Sequence, residues 1–76
     1  MESGEPKDAW DYNAYGLALY LLGRNEDAVG IYEKTLEMDP SLVSAHFMKG
    51  VAYWKLKKYQ EAKTEWKKCL NSHTSF

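Results

Sequence analysis

Apolar residues recur at helical spacing in four blocks along the chain, and each block is bounded by residues that start or stop helices. The first block predicts a helix over about Ala9 to Leu22, with Tyr12, Tyr15, Gly16 and Leu19 on one stripe. Leu17, Tyr20 and Leu21, with Asn13 below them, form a second stripe. A helix apolar on two sides must be covered on two sides or leave a patch for another molecule. Asp8 is suited to cap this helix, with Asp11 three residues on near its positive end. Gly23 can take the left-handed conformation that ends a helix, and Asn25 can cap the next one. The second block, about Glu26 to Met38, turns Ala28, Ile31, Tyr32, Thr35 and Leu36 toward a neighbour and Glu33, Lys34 and Glu37 away. Pro40 cannot continue that helix and biases Asp39 toward extended backbone.

The third block predicts a helix over about Leu42 to Leu56, with a small-residue notch at Gly50 and Ala52 beside Tyr53 and a stripe of Phe47, Val51 and Trp54. The fourth, about Tyr59 to Asn71, points Ala62, Trp66, Cys69 and Leu70 inward and Lys63, Lys67 and Lys68 outward. Residues 1–7 lack periodicity and read as a mobile tail, and Ser72 to Phe76 read as frayed. The fold class is all-α.

The second half of the chain repeats the first. A shift of 34 residues superposes Gly16 on Gly50, Ala18 on Ala52, Leu22 on Leu56, Ala28 on Ala62, Lys34 on Lys68 and Leu36 on Leu70. Tyr20/Trp54, Asp27/Glu61 and Tyr32/Trp66 are similar pairs in the same register. Helix–turn–helix units of that length are the spacing of tetratricopeptide repeats. The chain resembles that family over roughly residues 9–73: one copy reads Tyr12, Tyr15-Gly16, Leu19, Ala28, Tyr32, Pro40, the other His46, Lys49-Gly50, Tyr53, Ala62, Trp66. It departs from the pattern in having Tyr15 and Lys49 for Leu, Leu19 for Tyr, His46 for Trp, and Thr74 where the closing Pro would fall. The resemblance implies two tandem repeats, four antiparallel helices in a right-handed superhelical solenoid segment, divided as a tail at 1–8 and repeats at 9–42 and 43–76.

In that family the first helix of each pair lines a concave groove. Carried over position by position, the groove here comprises Asn13, Leu17, Tyr20 and Leu21, flanked by Trp10 and Ala14, then Phe47, Met48, Val51, Trp54 and Lys55, preceded by Ser44. Some members hold acidic chaperone tails in a clamp of Lys, Asn and Arg on these helices. The corresponding places here include Asn13, Leu17 and Met48, so the clamp does not carry over. The surface is apolar and aromatic instead. It suits an amphipathic helix or extended apolar peptide of a protein partner, unless the same residues are simply core in a two-repeat packing.

Charge adds a second possibility. Residues 1–42 carry a net −6 and residues 43–76 a net +5, although the whole chain is close to neutral. Repeats cannot bury their faces alone, so a homodimer joined through the groove, or membership of a longer array, is the alternative to an adaptor. Lys63 and Ser72 stand where the first copy has Val29 and Met38, and a polar outer face of this kind suits a terminal repeat.

Other chemistry is thinly represented. Cys69 is the only cysteine, which favours a reducing, cytoplasmic location, and the longest apolar run, Leu17 to Leu22, is too short for membrane insertion. Cys69 and His73 share a face but two ligands do not make a metal site, and no cofactor motif is present. The lysines from Lys55 to Lys68 lie on solvated faces, with Tyr59 and Trp66 expected in the core, which argues against nucleic acid. Asp8, Asp11, Glu26 and Asp27 are accounted for as helix starts, leaving no acid–base pair for an enzyme.

Overall fold

Residues 7–73 are described by the computed structural model, with side chains as far as Leu70. They form α1 (Ala9–Leu21), α2 (Asn25–Met38), α3 (Val43–Lys55) and α4 (Tyr59–His73), with no strand among the described residues. Residues 1–6 of the expected mobile tail and the last three of the expected frayed residues lie outside that range, while Lys7 is hydrogen-bonded to α1. Ser72 and His73 continue α4 rather than fraying; the starts of α1 and α4 and the end of α2 fall where expected, and the end of α1, the start of α2 and both ends of α3 move by one residue.

Local chemistry accounts for the boundaries. The Asp8 carboxylate accepts the Asp11 amide at 3.0 Å, and the Asp11 carboxylate accepts the Lys7 amide at 3.2 Å, so α1 is tied at its start. After α1 the Gly23 amide donates to the Tyr20 carbonyl at 2.9 Å and the Arg24 amide to the Leu19 carbonyl at 2.8 Å. This pair of bonds closes the helix around Gly23, whose φ is 81°. The Arg24 carbonyl then accepts the Ala28 amide at 3.0 Å, so α2 begins one residue earlier than expected. Arg24, not Asn25, occupies the capping position, without a side-chain cap. The Arg24 guanidinium instead holds the Asp27 carboxylate at 2.8 Å, in the first turn, where an acid also favours the helix dipole. Between α2 and α3, Asp39 is extended and its carboxylate accepts the Ser41 amide at 3.1 Å and hydroxyl at 2.7 Å.

The α3–α4 turn copies the α1–α2 turn. Lys57 and Lys58 donate to the carbonyls of Trp54 and Tyr53 at 3.0 and 2.9 Å, and Lys57, the counterpart of Gly23, has φ 65°. A side chain in that conformation carries a steric cost that glycine does not. Lys57→Gly is therefore expected to stabilise the fold by about 1 kcal/mol, read as a higher urea midpoint with an unchanged slope.

α1 and α2 form one hairpin and α3 and α4 another, while α3 also packs on α2 and touches α1. The core runs through Leu19, Ala28, Val29, Tyr32, Leu42, Ala45 and Ala52. The two glycines paired by the repeat are the close-approach points of the two hairpins. A methyl at Gly16 would lie 2.7 Å from the Tyr32 ring, and one at Gly50 would lie 2.5 Å from the Trp66 ring. Helix-to-ring contact this tight explains why the same residue recurs 34 positions apart. No helix among the described residues is long and apolar enough to cross a membrane.

Candidate partner-binding groove

The nine groove residues fall on the two first helices of the hairpins, α1 and α3, and divide by burial. Leu17, Leu21, Phe47, Trp54 and Lys55 are exposed, Leu21 at 72 % and Phe47 and Trp54 at 50 % each. Asn13, Tyr20, Met48 and Val51 are half-buried, and Tyr20 and Met48 rest against the core cluster. Tyr20 and Met48 thus continue the core, while the five exposed residues reach solvent.

The two helices' contributions meet at one end. Tyr20 and Leu21 of α1 share with Lys55 of α3, and with Gly23 and Asn25 of the intervening turn, an open depression of about 320 Å³. The α3 aromatics are positioned from the other side, by α4. The Trp66 indole donates to the Phe47 carbonyl at 3.3 Å and the two rings lie 6.4 Å apart. Tyr59 meets Trp54 edge to face at 6.0 Å. Such pairs contribute about 0.5–1.5 kcal/mol beyond burial and hold both rings without covering them. Asn13 and Leu17 lie toward the N-terminal end of α1. The Asn13 side-chain oxygen is shielded from solvent and has no hydrogen-bond partner among the described residues.

Several core expectations fail for one physical reason. Tyr59, Leu70 and Tyr15 are exposed, and Trp66 is only half-buried. Their positions on a helix were read correctly, but covering them needs a neighbouring helix. α2 has one on each side, α1 and α3, whereas among the described residues α1 and α4 each lack a comparable neighbour on their outer side.

A buried polar cluster escaped the sequence reading altogether. Glu65 on α4 is 5 % exposed. Its carboxylate lies 2.9 Å from His46 Nδ1, 3.6 Å from the Lys49 ammonium and 3.4 Å from that of Lys68. His46 Nε2 lies 3.2 Å from the Pro40 carbonyl, so the ring can donate to both acceptors only with a proton on each nitrogen. Lys49 also reaches Glu33 on α2 at 3.6 Å. Burial pushes the Glu65 carboxyl upward, but the His46 hydrogen bond and the two ammonium groups outweigh it and hold it below its usual range. The cluster joins α2, the α2–α3 turn, α3 and α4, and so fixes the backbone from which Phe47 and Trp54 project. A signal was available: Glu65 is the repeat counterpart of the core-packed Ile31, and His46 and Lys49 are one helical turn apart. Cys69 is likewise tied in. Burial raises its thiol pKa, aided by the Glu65 charge, and the neutral thiol donates to the Val43 carbonyl at 3.6 Å.

Comparison with known families agrees with this geometry. A family model described as TPR repeat matches residues 16–57, from the Gly16 contact through α2 to the Lys57 turn. A second, described as Tetratricopeptide repeat, matches residues 43–72, the α3–α4 hairpin. No curated protein and no solved structure matches the chain.

Proposed function

The chain belongs to the tetratricopeptide repeat family, whose repeats generally mediate protein–protein interaction, and from that premise we propose that it is a non-catalytic, cytoplasmic adaptor whose α1/α3 face receives an apolar or amphipathic segment of a partner protein. The observation that carries the reading is the pair of half-exposed α3 aromatics, Phe47 and Trp54, held in place from behind by Trp66 and Tyr59. Rings that are already ordered lose little entropy on binding, and aromatic anchors beside a partly buried floor are the usual energetic centres of interfaces. With half of each ring still exposed, covering it returns about 2–3 kcal/mol per ring. That gain suits a moderate-affinity contact with a short segment. Lys55, at the edge of the depression beside Tyr20 and Leu21, adds a cation that favours an acidic residue flanking the apolar anchor.

Peptides selected from a displayed random library against the full chain are expected to be apolar or amphipathic. Trp54→Ala should weaken them at least about tenfold, with the helical circular dichroism unchanged. Equal affinity for the variant would remove Trp54 from the binding surface and overturn the reading.

A further inference from the structure

The 34-residue register also supplies an internal template for a second surface. On α3, positions 45, 49 and 52 face α2: Ala45 and Ala52 are fully buried, and Lys49 meets Glu33 of α2 at 3.6 Å. Leu56, which follows on the same side, lines a depression with residues 23–27 at the start of α2. The counterparts of these four residues on the first hairpin are Asp11, Tyr15, Ala18 and Leu22. All four are exposed, Leu22 at 74 %. The first hairpin therefore presents to solvent the face that the second hairpin buries.

The helix that covers this face within the chain is α2, and the repeat counterpart of α2 is α4. Moving the observed α2–α3 packing by one repeat replaces Glu33 with Lys67, Lys49 with Tyr15 and the buried Val29 with Lys63, so the transferred contact is more polar than the one within the chain. An ion pair becomes a lysine over a tyrosine ring, a favourable exchange, and Asp11 lies one turn from Tyr15 to receive the same ammonium. Lys67 is exposed and available. The opposite charges of the two halves, −6 and +5, act in the same direction over longer range.

We propose that a second copy of this chain docks its α4 on the Asp11–Tyr15–Ala18–Leu22 face, so that copies associate head to tail through their end faces and leave the α1/α3 groove open. This arrangement differs from a dimer closed through the groove. Head and tail are different surfaces, so the contact is heterologous and extends beyond two copies.

Sedimentation velocity of the full chain, from micromolar to millimolar concentration at low salt, tests it. The mass should rise continuously above the 8.8 kDa of one chain and fall back as salt is added. Leu22→Glu and Lys67→Glu should each weaken association roughly tenfold or more, while Trp54→Ala leaves it unchanged. Asp11→Lys and Lys67→Glu, each impaired alone, should associate when mixed, because the mixture restores opposite charges at every contact. A monomer at all concentrations would overturn the proposal. So would association that survives Leu22→Glu and Lys67→Glu but is lost on Trp54→Ala, which would place the contact in the groove. Circular dichroism of each variant separates loss of association from loss of fold. The peptide-binding reading stands or falls separately, on Trp54→Ala.

Discussion

Replacing Tyr32 with alanine is expected to lower the stability of the fold by about 3–5 kcal/mol, read as a large fall in the urea midpoint. The ring is fully buried at the centre of the molecule, beneath the Gly16 position of α1 and within the cluster that α2 shares with α3. Truncating a buried aromatic costs about 3–5 kcal/mol. A domain of this size holds roughly 4–11 kcal/mol in total, at about 0.05–0.15 kcal/mol per residue, so most of the margin disappears. Tyr32→Phe should act in the opposite direction. The hydroxyl is buried with no hydrogen-bond partner among the described residues, and removing an unsatisfied polar group while keeping the ring relieves a desolvation penalty of about 1 kcal/mol or more. The phenol is also pushed up to about 12, first by burial and then by the neighbouring Tyr20. Because the folded value lies above the unfolded value near 10, this stabilisation is complete below pH 10 and is lost as pH rises through about 12. Urea unfolding of the wild type should therefore weaken over that interval, and that of Tyr32→Phe should weaken less.

Glu65→Ala is the second large effect, with an expected loss of about 3 kcal/mol. The carboxylate is the common partner of His46, Lys49 and Lys68, and removing it leaves the largely buried His46 Nδ1 without its hydrogen-bond partner and Lys49 with Glu33 alone. The pH dependence has the sign opposite to that of Tyr32. The folded carboxyl titrates below its unfolded value, so its contribution is complete above about pH 4.3 and disappears as pH falls through the lower folded value. Glu65→Gln should accordingly flatten the acid limb of the stability profile. Since the cluster supports the backbone carrying Phe47 and Trp54, Glu65→Ala should also broaden the signals of those rings in nuclear magnetic resonance spectra. An undisturbed acid limb in Glu65→Gln would show that the cluster carries no net stabilisation.

The parts of the fold legible in the sequence are those decided by local chemistry or by the repeat. Gly23, Asp8 and Asp39-Pro40 mark helix ends because their backbone or side-chain preferences act over a few residues. The paired Gly16 and Gly50 mark points of close approach, because both positions must remain bare, and the structure identifies the approaching groups as the Tyr32 and Trp66 rings. The groove residues could be placed on α1 and α3 from the repeat register, and their exposure then follows from which helices have neighbours. What could not be read depended on tertiary surroundings. Tyr15, Tyr59 and Leu70 have the pattern of core residues, and only the absence of a covering helix among the described residues leaves them at the surface. Glu65 shows the converse, since a charged residue in a lysine-rich helix reads as solvated until His46 and Lys49 of another helix are seen to enclose it. Asn25 failed as a cap for a smaller reason: the helical ladder of α2 already opens at the Arg24 carbonyl, which accepts the Ala28 amide and places Asn25 inside the helix.

The central claim, that the α1/α3 face is where a partner binds, is tested most directly by mapping amide and tryptophan side-chain shifts of the full chain during titration with a peptide selected from a random library. The largest changes are expected at Leu17, Tyr20, Phe47, Val51 and Trp54, with the outward lysines of α4 unmoved. Changes concentrated on the outer faces of α2 and α4, with the Trp54 indole signal stationary, would contradict it.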